Sequence, residues 1–228
     1  MGRVKWLGHA TFEVELGGKR LLIDPWIRGN PKAPCSLEEL PAPDIILVTH
    51  DHSDHMGDCI EIAKRHGSTV VAIYELSNFV KEKGATKVIG MNVGGSVEVE
   101  GLKIVMTPAY HSSERGQPAG FIVTSGKASI YHAGDTALFS DIRYFAELYP
   151  ITVAMIPIGG LFTMDPPQAA RFVGLFKPKV AIPMHYGTFP SIDKDPNEFK
   201  EAVKRHSPGT EVVILEPGES YEFKKQNL

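Results

Sequence analysis

Cysteine is scarce in this 228-residue chain: Cys35 and Cys59 are the only two, one in a proline-rich stretch and one just past a histidine cluster. Two thiols so placed do not make a disulfide framework, and both are expected to be free. Also missing is any apolar run long enough to cross a bilayer. The opening residues Met1-Gly2-Arg3-Val4-Lys5-Trp6-Leu7 enter a strand pattern without an apolar leader. A cytoplasmic location with no membrane partner is the expectation. Long basic runs are absent, and with a net charge of -3 and a pI of about 6.3 nucleic acid is not an expected partner. Linkers, low-complexity tracts and short repeats are lacking too. With 43% hydrophobic and 22% charged residues, the composition is that of one globular domain over residues 1–228. A chain of this length buries roughly 70% of its unfolded surface. Homo-oligomerisation is left open.

Histidine, by contrast, is concentrated. His50-Asp51-His52-Ser53-Asp54-His55 holds three of the nine histidines and two carboxylates, directly after the apolar run Ile45-Ile46-Leu47-Val48. That is more than hydrogen bonding requires. Residues two apart on an extended chain point the same way, so His50 and His52 can converge on one cation as the strand ends. Adjacent residues diverge, which sets Asp54 and His55 to grip a second ion beside the first. Imidazole and carboxylate are ordinary ligands for zinc, manganese, iron or nickel.

Around this cluster the periodicity alternates between strand and helix. Strands are expected at Val4–Leu7, Thr11–Leu16 and Arg20–Ile23, with Gly17-Gly18 as a hairpin turn. The Pro-rich stretch from Pro25 to Pro43 reads as a long loop able to wall a cleft. Cys59, Ile62, Ala63 and His66 fall at helical spacing before Gly67. A strand at Thr69–Ile73 leads to a helix with Leu76, Phe79 and Val80 inward. Further strands are expected at Lys87–Met91, Ser96–Val99, Leu102–Met106, Phe121–Thr124, Ala128–His132, Val153–Ile156, Val180–Pro183, Val212–Leu215 and Tyr221–Phe223. Ile142, Phe145, Ala146 and Tyr149 make a helical stripe that ends at Pro150. Asp165-Pro166-Pro167-Gln168 and Asp195-Pro196-Asn197-Glu198 are helix starts. Two mixed sheets with amphipathic helices on their outer faces imply an α/β, four-layer αββα sandwich.

Two ions would need more ligands than one hexapeptide supplies. Three further segments share one layout, an apolar strand followed at once by His or Asp: Ile104 to His111, Ser129 through His132 to Asp135, and Val180 to His185. Strand ends that share a layer bring such residues together.

The pattern His50-x-His52-x-Asp54-His55 followed by His111, Asp135 and His185 resembles the metallo-β-lactamase superfamily over essentially the whole chain. Flanking words narrow the likeness: Gly8-His9-Ala10-Thr11-Phe12, Ile23-Asp24-Pro25-Trp26, Pro108-Ala109-Tyr110-His111, His132-Ala133-Gly134-Asp135-Thr136, Gly159-Gly160-Leu161-Phe162-Thr163-Met164 and Met184-His185-Tyr186-Gly187-Thr188. They are similar to small metal-dependent hydrolases related to the L-ascorbate-6-phosphate lactonase branch. The resemblance implies His50, His52 and His111 on one metal, Asp54, His55 and His185 on the other, and Asp135 between them. Asp24 is either a support that fixes a ligand's tautomer or a turn cap before Pro25. His9 is a substrate contact, proton carrier or extra ligand, or else a buried structural residue. His132 is expected to support Asp135 rather than bind metal, and His66 and His206 to be structural or exposed.

Two divalent ions, zinc first with manganese or nickel as alternatives, would share a water and supply hydroxide at neutral pH. The implied enzyme is a hydrolase of a small molecule, a phosphodiester or a lactone or ester in preference to a β-lactam. Asp54, Asp135 and His9 are the candidate catalytic residues, and Tyr186, Thr188 and Thr163 candidate oxyanion or substrate contacts by position. Two rivals stand beside this reading: a di-iron-type oxidoreductase on the same fold, and a non-catalytic metal-binding module.

Overall fold

A computed structural model of the chain describes residues 2–126 and 128–224. Its strands are β1 (Gly2–Trp6), β2 (Phe12–Leu16), β3 (Lys19–Ile23), β4 (Ile45–Leu47), β5 (Thr69–Ile73), β6 (Val88–Met91), β7 (Ser96–Val99), β8 (Leu102–Pro108), β9 (Ala119–Ser125), β10 (Ala128–His132), β11 (Val153–Pro157), β12 (Val180–Met184), β13 (Glu211–Val212) and β14 (Ser220–Phe223). They form two seven-stranded sheets, ordered β14-β1-β2-β3-β4-β5-β6 and β13-β12-β11-β10-β9-β8-β7. In each sheet three antiparallel pairings give way to three parallel ones. Both sheets are therefore mixed, as expected.

Alternation along the strands builds two cores. Val153 and Met155 of β11 and Val180, Ile182 and Met184 of β12 join Val4, Phe12 and Val14 in one cluster. Ala154, Ile156 and Ala181 point the other way, into a cluster with Ile142 of α4 (Ile142–Leu148), Phe172 and Val173 of α5 (Pro166–Phe176) and Phe199 and Val203 of α6 (Pro196–His206). Strands buried on both faces explain the unbroken apolar runs of β11 and β12. On the first sheet Ile62 and Ala63 of α2 (Cys59–His66) and Leu76 and Val80 of α3 (Tyr74–Glu82) close the outer face. Helix, sheet, sheet, helix is the resulting order.

Local signals act as their chemistry requires. Gly17 and Gly18 lie at φ 61° and 80°, the two left-handed positions of a tight hairpin turn. Asp165 accepts from Gln168 N at 2.9 Å while Gln168 Oε1 accepts from Asp165 N at 3.3 Å, a reciprocal cap. The strand expected at Val212–Leu215 is shorter, Glu211–Val212. Ala181 O accepts from Val213 N at 3.1 Å, but two residues on, Pro183 turns to the same neighbour a nitrogen without hydrogen. A one-turn helix α1 (Ser53–Met56) within the histidine cluster is too short for periodicity to announce.

Candidate metal centre

Site residues leave the C-terminal ends of strands that run the same way within each sheet. From the first sheet come His9 after β1, Asp24 after β3, and His50, His52, Asp54 and His55 after β4. The second contributes His111 after β8, Asp135 after β10 and His185 after β12. Parallel pairing of Ile23 with Leu47 sets Asp24 beside Thr49 although a loop separates them in sequence.

Three groups of donor atoms result, each within 4.8 Å: His50, His52 and His111; His9, Asp54, His55 and His185; and His50, His55 and Asp135. All seven residues expected on metal are thus brought together, and His9 lies with them. Asp135 Oδ2 is the junction, 3.0 Å from His185 Nε2, 3.4 Å from His55 Nε2 and 3.5 Å from His111 Nε2. His50 Nε2 lies 2.9 Å from His52 Nδ1, and His111 Nε2 lies 3.3 Å from the same atom. Buried His55 Nε2 and Asp135 Oδ1 make no hydrogen bond of proper geometry. Orphaned polar atoms at one buried point are costly unless a cation joins them, so the donor set fits a metal.

Electrostatics agree with the donor set. Burial holds His50 well below the ordinary imidazole pKa and pushes His9 down to about 4, so both rings are neutral at pH 7. Burial lowers His111 as well. For Asp135 burial opposes charge, but His185 and His55 outweigh it and keep the carboxylate ionised well below its usual range. Burial also opposes charge on His55, and Asp135 and Asp24 outweigh it, raising this ring well above the ordinary value.

Asp24 does more than cap a turn. Its Oδ2 accepts from His55 Nδ1 at 2.7 Å and from Thr49 Oγ1 at 2.7 Å, and its Oδ1 accepts from Thr49 N at 2.8 Å. Since the Thr49 hydroxyl donates to Asp24, it is left to accept from His50 Nδ1, 3.0 Å away. One buried carboxylate therefore sets the tautomer of two rings, leaving Nε2 of each free of its proton.

Behind Asp54 stands His9, with Nε2 at 3.1 Å from Asp54 Oδ2 and Nδ1 at 2.9 Å from Thr188 Oγ1. Thr188 thus serves His9 rather than the cavity. His132 donates from Nε2 to Ala10 O at 2.8 Å and accepts at Nδ1 from Gly134 N at 3.2 Å, which braces the turn into Asp135. His66 and His206 are exposed and outside the centre.

Two more expected contacts, besides Thr188, lie off the wall of the cavity over the donor groups. Tyr186 stacks on Trp6 at 5.4 Å and lines a cavity with Lys32 and Lys194 that shares no wall residue with the metal side. The reason is local: His185 sits at φ 57°, and this left-handed kink turns the next side chain away. Thr163 keeps its hydroxyl on Met164 O at 3.4 Å, and Phe162 enters the wall instead. Residues the sequence did not single out also contribute. Asp51 Oδ1 accepts from Glu114 N and Oδ2 from Arg115, both at 2.9 Å, which ties the His111 loop to the histidine cluster. Phe162, Phe189, Ile192 and Ser112 line a cavity of about 290 Å³ over the donor groups. Cys35 and Cys59 are free. No helix among the described residues is long and apolar enough to cross a membrane.

Comparison with known proteins places this arrangement. Residues 19–186 match the family model of the β-lactamase superfamily domain. A UPF0173 metal-dependent hydrolase of Methanopyrus kandleri is 53% identical over 229 residues, 96% of this chain and 99% of that protein. Its counterpart in Thermococcus kodakarensis is 51% identical, over 98% of this chain and all of the relative. The solved structure of Igni18, described as a metallo hydrolase of Ignicoccus hospitalis, is 41% identical with a TM-score of 0.91, covering 98% of this chain and 99% of that one. The chain belongs to the β-lactamase superfamily, within its UPF0173 family of metal-dependent hydrolases.

Proposed function

We propose that the protein hydrolyses a small ester, lactone or phosphodiester with two divalent ions, zinc first and manganese or nickel as alternatives. One observation carries the reading: Asp135 Oδ2 lies 3.0 to 3.5 Å from His185, His55 and His111, at the seam between the two donor groups. His50, His52 and His111 would hold one ion, Asp54, His55 and His185 the other, with Asp135 shared. Bound there, such ions supply Lewis acidity and a water acidic enough to give hydroxide near neutral pH.

The chain's own groups do the rest. Asp24 and Thr49 hold His55 and His50 with the correct nitrogen inward. His9 donates from Nε2 to Asp54 Oδ2, which holds that carboxylate in place at the cavity wall. Asp54 and Asp135 stay ionised, so they would orient the attacking hydroxyl by accepting a hydrogen bond from it, without taking its proton. For an ester, attack forms a new C–O bond, the bond to the leaving oxygen breaks, and the Asp54 carboxylate would guide the hydroxyl proton to the departing alkoxide. No serine or cysteine nucleophile is needed.

The test is metal content and hydrolysis of a panel of esters, lactones and phosphodiesters by protein reconstituted with each metal. Alanine at His52 or Asp135 is expected to lose metal and to bring turnover to background. Variants that keep both refute the reading.

A further inference from the structure

Beyond the reacting centre, the cavity is built to hold something apolar. Opposite the donor groups its wall is Phe162, Phe189 and Ile192. Phe162 is 57% exposed and Phe189 39%, large aromatic surfaces left partly in water at the mouth of a polar site. Both are held in place. Trp26 stacks on Phe189 at 5.9 Å with 27° between the rings. The Phe162 loop is closed by Gly160 N to Met164 O at 3.0 Å and Thr163 N to Gly160 O at 3.1 Å, with Leu161 at φ 49°.

Charge is arranged in the opposite sense. Among the described residues lining this cavity none is Lys or Arg. Arg115, close to His111 in sequence, is engaged by Asp51 at 2.9 Å and stacked over Phe79 at 4.1 Å. Lys32 and Lys194 line the other cavity, behind Tyr186. A substrate with a second anionic group would find no partner here and would meet aromatic rings instead.

We infer that the substrate is a carboxylic ester or lactone carrying an uncharged apolar side chain, seated between Phe162 and Phe189. This deepens the hydrolase reading and rests on it. The volume of about 290 Å³, at about 30 Å³ for each water-sized group, admits roughly ten non-hydrogen atoms. Polyanionic substrates such as nucleotides and sugar phosphates are thereby disfavoured.

Calorimetric titration of the metal-loaded protein with straight-chain carboxylates of four to eight carbons, the acids that such hydrolysis releases, tests the inference apart from turnover. Each added methylene is expected to tighten binding about fourfold until the cavity is full. Adipate and 6-aminohexanoate, which carry a charge at the far end, are expected to bind at least tenfold more weakly than hexanoate. In Phe162→Ala and Phe189→Ala the ratio of eight-carbon to four-carbon affinity falls tenfold or more. Leu148→Ala, an exposed leucine outside the cavity, keeps the wild-type ratio. A chain-length slope without cleavage of any ester, lactone or phosphodiester of the panel, γ-butyrolactone and γ-nonalactone included, supports the apolar seat and refutes the hydrolase reading. A flat slope, or charged ends that bind as well as hexanoate, overturns the inference even where lactones are cleaved.

Discussion

Asp24→Asn is the sharpest test of how the centre is assembled, because the change keeps shape and removes only charge and one acceptor. Asp24 accepts three hydrogen bonds, from His55 Nδ1, Thr49 Oγ1 and Thr49 N. Asparagine cannot satisfy all three. If its oxygen faces His55 and the hydroxyl, its NH₂ meets the Thr49 amide donor. If it turns over, NH₂ faces His55 Nδ1 and drives the ring to the tautomer with hydrogen on Nε2, the atom needed inward. The first outcome leaves a buried donor unmet, at about 1–3 kcal/mol. The second removes a ligand. Supporting groups of this kind typically change metal affinity 10–100-fold, or roughly 1.4–2.7 kcal/mol. Competition with a chromophoric chelator resolves the two binding steps. Asp24→Asn is expected to weaken both, since Asp24 sets His55 directly and His50 through Thr49. Thr49→Val, which removes only the hydroxyl, weakens the His50 step more than the other. Wild-type affinity at both steps in Asp24→Asn would refute the account.

Other expectations follow from the same geometry. Asp51→Ala frees the backbone of Glu114 and the guanidinium of Arg115, so the His111 loop loosens and chelator competition shows weaker metal retention, while far-ultraviolet circular dichroism is unchanged. Stripping the metals lowers Tm: with metal at a hundredfold excess over Kd the linkage is worth about 2.7 kcal/mol for each of the two ions, or roughly 11–22 °C together for a chain of this size, by calorimetry. Burial, then the nearby Asp24 charge, pushes the Cys59 thiol up to about 12. The unfolded chain then releases this proton first as pH rises from about 9, and stability falls from there toward pH 12 by at most about 3–4 kcal/mol. Urea melts of Cys59→Ala should show a shallower alkaline decline. At His185, φ is 57°, so His185→Gly should be more stable than His185→Ala by about 1 kcal/mol, the reverse of the usual order, in denaturant melts of the metal-free proteins.

Much of the architecture was legible because core strands and helices repeat a period. The runs of β11 and β12, the stripes of α2 and α5 and the Asp-Pro caps each state their own conformation. The donor residues were legible for a second reason: three strand ends carry His or Asp at the first positions where a side chain can turn from core to mouth. Supporting contacts had no such signature. Asp24 and Thr49 meet only because β3 and β4 pair in parallel across a loop, and Asp51 meets Arg115 across 64 residues.

Tyr186 and Thr163, which lie off the wall of the cavity over the donor groups, show where period fails as a guide. Both follow or sit within segments whose backbone enters the left-handed region, at His185 with φ 57° and Leu161 with φ 49°. There the alternation that governs a strand no longer says which way a side chain points. His9 and Asp24, at φ 55° and 47°, share this conformation. An L-residue held there costs roughly 1–3 kcal/mol and persists only when its surroundings fix it. Backbone contacts do so here: His9 O accepts from Trp6 Nε1 at 2.9 Å and from His185 N at 3.0 Å, and Asp24 N donates to Leu47 O at 3.0 Å. Two kinked residues thus brace each other across the mouth, one from each sheet. The alignment of His9 behind Asp54 therefore depends on the sheets keeping their spacing. Strain at these positions turns packing of the two sheets into placement of the donor atoms.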